Sequence, residues 1–169
     1  VRTIAAGLKD LFTFHWVAFV RRIAVLLGTR RDPFDTFDQM HELHQKYNLE
    51  AIYFFLLADY GTNDKNVSPH SRRLQSVIKS VADYNKVGIH PSYGSNSDDT
   101  KLPKELRRLR EIVNRDVVCS RQHFLMVRFP QTYRNLIDQD IREDYSMGYP
   151  NIPGFRAGIS SPFNFYDLE

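Results

Sequence analysis

Hydrophobic positions recur every three or four residues along much of the chain. From Asp35 to Tyr47 the repeat is carried by Phe37, Met40, Leu43 or His44, and Tyr47, and Asn48 closes it, which predicts a helix. Leu74, Val77, Ile78 and Val81 make a second apolar stripe, with Ser68-Pro69 offering an N-cap and a proline at the first helical position. Leu102, Leu106, Leu109, Ile112 and Val113 predict a helix near Pro103 to Arg115. Tyr133, Leu136 and Ile137 face inward from another, Pro130 to Gln139. Ahead of these, Thr3 to Leu27 reads as one or two amphipathic helices ending at Gly28.

Continuous apolar runs alternate with these stripes. Ala51 to Leu57 reads as a strand buried on both faces, a pattern that favours parallel sheets. Lys86 to His90, Asp116 to Ser120 and Arg142 to Met147 are shorter strands, and Phe155-Arg-Ala-Gly158 is a candidate fifth. Strands begin near residues 51, 87, 117 and 142 with helices between them, a spacing that suits βα units. The fold class is therefore α/β with parallel strands and N-terminal amphipathic helices. One domain is expected over 1–169, with 1–28 as its helical N-terminal segment.

A length of 169 residues, 42% hydrophobic and 13% aromatic, suits one packed domain. A net charge of +3 is too small an excess to imply nucleic acid. Cys119 is the single cysteine, so no internal disulfide forms; a reducing compartment fits, and the cytoplasm is the expected location. Phe12 to Leu27 is the most apolar stretch, but Arg21 and Arg22 interrupt it well short of a membrane span, and no signal peptide is evident. Gly-x-Ser-x-Gly, Gly-x-x-x-x-Gly-Lys and Gly-x-Gly-x-x-Gly are all absent, which removes most support for serine hydrolases and nucleotide enzymes.

Parallel α/β folds gather reactive groups where strands end. Those ends carry Asp59 and Tyr60; His90, Ser92 and Tyr93; Arg121 and His123; and Asp144, Tyr145 and Ser146. His90 follows Val-Gly-Ile and precedes a proline, which suits either a metal ligand or a ring satisfied by loop backbone. Arg121 fits the holding of a carboxylate or of developing negative charge, and equally a salt bridge. Asp144 is a partner for Arg121, an acceptor for an imidazole N–H, or a turn residue. His41 and His44 lie three apart on one helix without a third ligand. Cys119 reads as a core residue.

The run Lys86-Val-Gly-Ile-His-Pro-Ser-Tyr-Gly-Ser95, then Ser120-Arg-Gln-His-Phe-Leu125, Tyr133-Arg-Asn-Leu, Glu143-Asp-Tyr-Ser-Met-Gly-Tyr149 and Gly154-Phe-Arg-Ala-Gly158 resembles the polysaccharide deacetylase family, in its bacterial polysaccharide deacetylase-like branch. The resemblance runs from about Asp32 to the end. It implies a distorted, incomplete (β/α) barrel and a divalent metal, usually zinc, that serves hydrolysis of acetyl groups on a sugar or polysaccharide.

In that family a His-x-x-x-His pattern binds the metal. His90 holds its first position and Gly94 its second, so His123 is the expected second ligand. Arg121 falls where the family carries an arginine that orients the catalytic carboxylate, and Arg121 and Asp144 are the expected catalytic residues. Ser92, Tyr93, Tyr145 and Arg156 are the expected substrate contacts, with Tyr93 or its backbone facing the oxyanion. The family's paired aspartates are expected before Val1, and its late leucine and histidine motif after Glu169. The expected partner is a carbohydrate, with no nucleic acid and no membrane span. Two other readings stand beside this one. The first is an inactive sugar-binding or scaffolding domain that stacks Tyr93, Tyr145, Tyr149 and Phe155 on pyranose rings. The second is a partner-binding module built on residues 3–27.

Overall fold

The computed structural model describes Lys9 and residues 12–168. Internal contacts divide the chain into two compact units, Val1–Leu49 and Glu50–Glu169. In the first, α1 spans Trp16–Leu26 and α2 spans Phe37–Tyr47. The expected helical stretch from Thr3 is broken by a turn at Thr13 and Phe14, where Phe14 takes a φ of 57°; its first residues lie outside the described ones. Gly28 follows α1 at a φ of 72°, and Asn48 closes α2 in the left-handed region, so both helices end where expected. Among the described residues no helix is long and apolar enough to cross a membrane.

The second unit runs β1 (Ile52–Phe55), α3 (Arg72–Tyr84), β2 (Lys86–Ile89), α4 (Lys101–Val113), β3 (Cys119–Ser120), α5 (Gln131–Ile137) and β4 (Glu143–Asp144). Its four strands form one sheet in the order β1-β2-β3-β4, parallel throughout, with a helix in each crossover. Each strand is added beside the one before it, so the winding never reverses. The α/β class with parallel strands follows directly from the alternation seen in the sequence.

Several boundaries differ from expectation for identifiable reasons. Ile52–Phe55 is half-buried rather than buried on both faces, because among the described residues β1 pairs with β2 alone. Ser68-Pro69 forms a turn instead of the cap, the Ser68 carbonyl accepting from Ser71 N–H, and Ser71 Oγ caps α3 by accepting from Leu74 N–H. Pro103 falls inside the first turn of α4, where its missing N–H leaves no bond unmade. Ile137 ends the short α5 and is 58% exposed; Ile141, after the turn, takes the core position instead. Phe155–Gly158 is a turn, not a fifth strand. Gly158 sits at a φ of 76° and donates its N–H to the Phe155 carbonyl.

The two faces of the sheet have different jobs, because successive strand residues point to opposite sides. Ile89 and Leu57 join Ile78 of α3, Leu106 and Leu109 of α4, and Leu136 of α5 in the core. Phe54, Lys86, Gly88, Cys119 and Glu143 alternate onto the other face. There the Lys86 Nζ reaches from β2 to Glu143 of β4 at 2.7 Å, and the Phe54 ring of β1 meets Tyr145 beyond β4 at 5.5 Å between centroids. A flat four-strand sheet would hold those two backbones about 14 Å apart. The two side chains reach towards each other across that distance, and the Phe54 ring lies over Gly88. A Cβ on Gly88 would lie 2.6 Å from the Phe54 ring.

Candidate functional site

At the strand ends, backbone bonds extend the ladder past the sheet. His90 N–H donates to the Phe55 carbonyl, Arg121 N–H to Ile89, and His123 N–H to Pro91. This stitching brings His90 and His123, from consecutive strand ends, side by side. Their rings stand at 89° with centroids 5.0 Å apart, and His123 Nδ1 lies 3.0 Å from His90 Nε2.

The protons on these rings follow from their other neighbours. His90 Nδ1 is 2.5 Å from the Arg121 carbonyl, which can only accept, so Nδ1 carries hydrogen. His123 Nε2 is 3.3 Å from the Asn63 carbonyl, which by the same logic takes a hydrogen from Nε2. Satisfying both carbonyls leaves two lone pairs, His90 Nε2 and His123 Nδ1, facing each other at 3.0 Å. A shared cation, either a metal ion or one more proton, resolves that opposition. Burial holds the His90 pKa below its usual value, outweighing the bond to the Arg121 carbonyl that raises it, and favours the neutral, donating ring.

The donor set suits a zinc-like ion in chemistry and spacing. Two ligands of a tetrahedral site sit about 3.3 Å apart, given bonds of about 2.0–2.1 Å, and the carbonyl behind His90 Nδ1 is the usual outer support of a ligating imidazole. It is one ligand short: among the described residues, no group of three His, Cys, Asp or Glu side chains is placed to hold an ion together.

Arg121 and Asp144, both expected to be catalytic, diverge. The Arg121 guanidinium donates to the Tyr145 carbonyl at 2.7 Å. Asp144 alternates onto the helix face with Ser120. It accepts from Ser120 Oγ at 2.6 Å, from Ser146 Oγ at 2.9 Å, from Ser146 N–H at 3.0 Å and from Tyr133 OH of α5 at 3.4 Å. Burial, and then Asp144, push the Tyr133 hydroxyl up to about 12. This carboxylate thus ties β3, β4 and α5 together.

The expected substrate contacts are held by separate local interactions. Ser92 is buried and caps the 3-10 turn Tyr93–Asn96. Tyr93 is exposed and packs edge-on against Phe124, which in turn lies 4.4 Å from His123 between ring centroids. The Tyr93 N–H, expected to face an oxyanion, instead donates to Asp64 at 2.7 Å. Tyr145 lies on the sheet face that carries Phe54 and Glu143, where its hydroxyl donates to Glu143 at 2.7 Å; that bond raises its pKa to about 12. Arg156 donates to the Leu125 carbonyl from the turn that replaces the expected strand. Arg121 and Tyr145 also border a groove of about 1090 Å³ beside β4, with Arg142, Phe155 and Phe163 along its walls.

Asp59, in the loop after β1, pairs with Lys104 and Arg108 of α4 at 2.6 Å each, which holds its carboxyl down at about 2. Cys119 is fully buried, and burial raises its thiol pKa, as suits a core residue. Sequence reasoning missed Asp64 and Glu105, which are 7% and 2% exposed. Glu105 did leave a trace, as the one acid on the apolar stripe of α4. Comparison with protein-family models, with curated proteins and with solved structures finds no match to this chain.

Proposed function

We propose that the chain carries part of a metal-dependent hydrolase that removes acetyl groups from a sugar or polysaccharide, with His90 and His123 as two ligands of a divalent ion, zinc by preference. The observation that carries the proposal is the pair of imidazole nitrogens at 3.0 Å, whose outer nitrogens both face carbonyls. When bound, such an ion supplies Lewis acidity for hydrolysis. The chain's own residues do the rest of what can be assigned. The Arg121 carbonyl orients His90, and its guanidinium fixes the Tyr145 backbone at the mouth of the groove. Tyr93 and Phe124 offer exposed rings beside His123 for a pyranose face. A parallel sheet wound in one direction supports the distorted, incomplete (β/α) barrel that the sequence resemblance implies.

A second reading draws on the lack of a third ligand among the described residues: a sugar-binding domain without chemistry, using the same exposed rings. Metal analysis after dialysis against zinc separates the two. Bound ion in the wild type, lost in both His90→Ala and His123→Ala, together with acetate release from acetylated oligosaccharides, is the expected result. A wild-type protein that retains no ion yet binds the same oligosaccharides would establish the second reading.

A further inference from the structure

The loop that follows β1 contributes no ligand, yet two adjacent residues of it support both histidines. The Asn63 carbonyl lies 3.3 Å from His123 Nε2. The next residue, Asp64, is buried and uses both oxygens on the loop that leads out of His90: Oδ1 accepts from Tyr93 N–H at 2.7 Å and Oδ2 from Gly94 N–H at 3.2 Å. A second buried acid, Glu105 of α4, accepts from Ser92 N–H at 2.9 Å. Three successive N–H groups, which the start of a 3-10 turn leaves without intrahelical partners, are thus all taken by side chains from two other elements.

These contacts go beyond what capping requires, since Ser92 Oγ already caps the turn by accepting from Ser95 N–H. What they add is location. Pro91 and Ser92 are the only links between His90 and the gripped N–H groups, and Pro91 has a fixed φ, so anchoring Tyr93 and Gly94 fixes where the His90 ring leaves the sheet. The same loop fixes His123 through the neighbouring carbonyl. Its base is tied by Asn66 Nδ2, which donates to the Ala58 carbonyl at 2.8 Å.

We infer that Asp64 is a positioning residue for the histidine pair: it locks the His90 loop through two backbone N–H groups while the adjacent Asn63 carbonyl sets the His123 tautomer. The role as support for a metal site rests on the function proposed above. The geometric role does not.

The chemistry separates Asp64 from Glu105. An amide at position 64 turns one of two acceptors into a donor facing an N–H, whereas Gln at 105 keeps the single acceptor that Ser92 needs. Asp64→Asn and Glu105→Gln are therefore compared with wild type by imidazole 15N NMR of the metal-free protein and by competition titration with zinc. Wild type and Glu105→Gln should show His90 with hydrogen on Nδ1 and His123 with hydrogen on Nε2, and should bind zinc alike. Asp64→Asn should mix the tautomers and weaken zinc about 10- to 100-fold, the range expected for loss of outer support. Wild-type tautomers and zinc affinity in folded Asp64→Asn would overturn the inference. If the wild type binds no zinc, the metal reading fails, and the tautomers alone still decide the positioning role. Should Asp64→Asn not fold, Asn66→Ala, which frees the loop at its base, should mix the same tautomers; unchanged tautomers in that variant would equally overturn the inference.

Discussion

Glu105 sits among Leu102, Leu106 and Leu109 on the core face of α4, and its carboxyl is taken out of water by them. Burial raises its pKa above the ordinary 4.5, more than the bonds from Ser92 lower it, and the nearby Asp64 adds to the rise. The consequence for stability has a definite sign. Above pH 4.5 the unfolded chain has released this proton while the folded chain still holds it, so stability falls as pH rises, until the raised folded value is passed. Glu105→Gln removes the titration. The stability of Glu105→Gln minus that of wild type should therefore climb from pH 4.5 upward, by at most about 1.4 kcal/mol per pH unit, and then level off. Urea denaturation from pH 4.5 to 8 measures it, and a difference independent of pH would show that the carboxyl is not held protonated. Individual site residues were unevenly legible in the sequence. His90 and His123 stood out because both follow short apolar strands. Asp64 lies in a polar loop, where an acid reads as solvated, and only the tertiary fold reveals that two backbone N–H groups from a different loop close on it. The separation of Asp144 from Arg121 was implicit in strand alternation, since residues 144 and 121 sit at opposite parity against the paired Ser120 and Asp144.

The elements read most directly from the sequence were those with long, strongly periodic patterns: α2, α3 and α4 all lie where the apolar stripes put them, within a few residues at the ends. Strands were harder, because a continuous apolar run does not say how many neighbours a strand has. Ile52–Phe55 has one among the described residues, and is half-buried for that reason. What no pattern announced was the crowding between β1 and β2. Gly88 lies opposite Phe54, and a Cβ there would come within 2.6 Å of the Phe54 ring and 2.8 Å of the Cys119 carbonyl. The ring can move and the carbonyl, held within the sheet, cannot move freely. Gly88→Ala should therefore cost about 1–3 kcal/mol, the usual range for overpacking. Trimming the ring in Gly88→Ala/Phe54→Leu should recover only the share due to the ring. Denaturation midpoints of the two variants test this, and a Gly88→Ala protein as stable as wild type would show that the sheet gives way more easily than its packing indicates.

At the scale of the whole molecule, the main core is confined to one part of the chain. Its buried members run from Leu57 to Ile141, with Phe55 at one end and Phe165 at the other packed against them, and all four strands, His90 and His123 fall within residues 50–169. The ion pair of Asp59 with Lys104 and Arg108, and the paired Arg134 and Asp167, also close within residues 50–169. By contrast, neither α1 nor α2 holds a fully buried residue. A core whose described members all come from Phe55 onward should form without residues 1–49, since a parallel sheet covered by α3, α4 and α5 already buries the apolar stripes that drive folding. Residues 50–169 expressed alone should therefore unfold in one cooperative transition and keep the tautomers of His90 and His123 found in the full chain. The vulnerable feature of that fragment is β1, whose half-buried Ile-Tyr-Phe-Phe run stands at the edge of the sheet that the described residues form, so association at high concentration is expected and the measurement belongs at low concentration. A fragment that melts without a cooperative transition, or binds a hydrophobic dye while keeping its helix content, would show instead that residues 1–49 are needed to complete the packing.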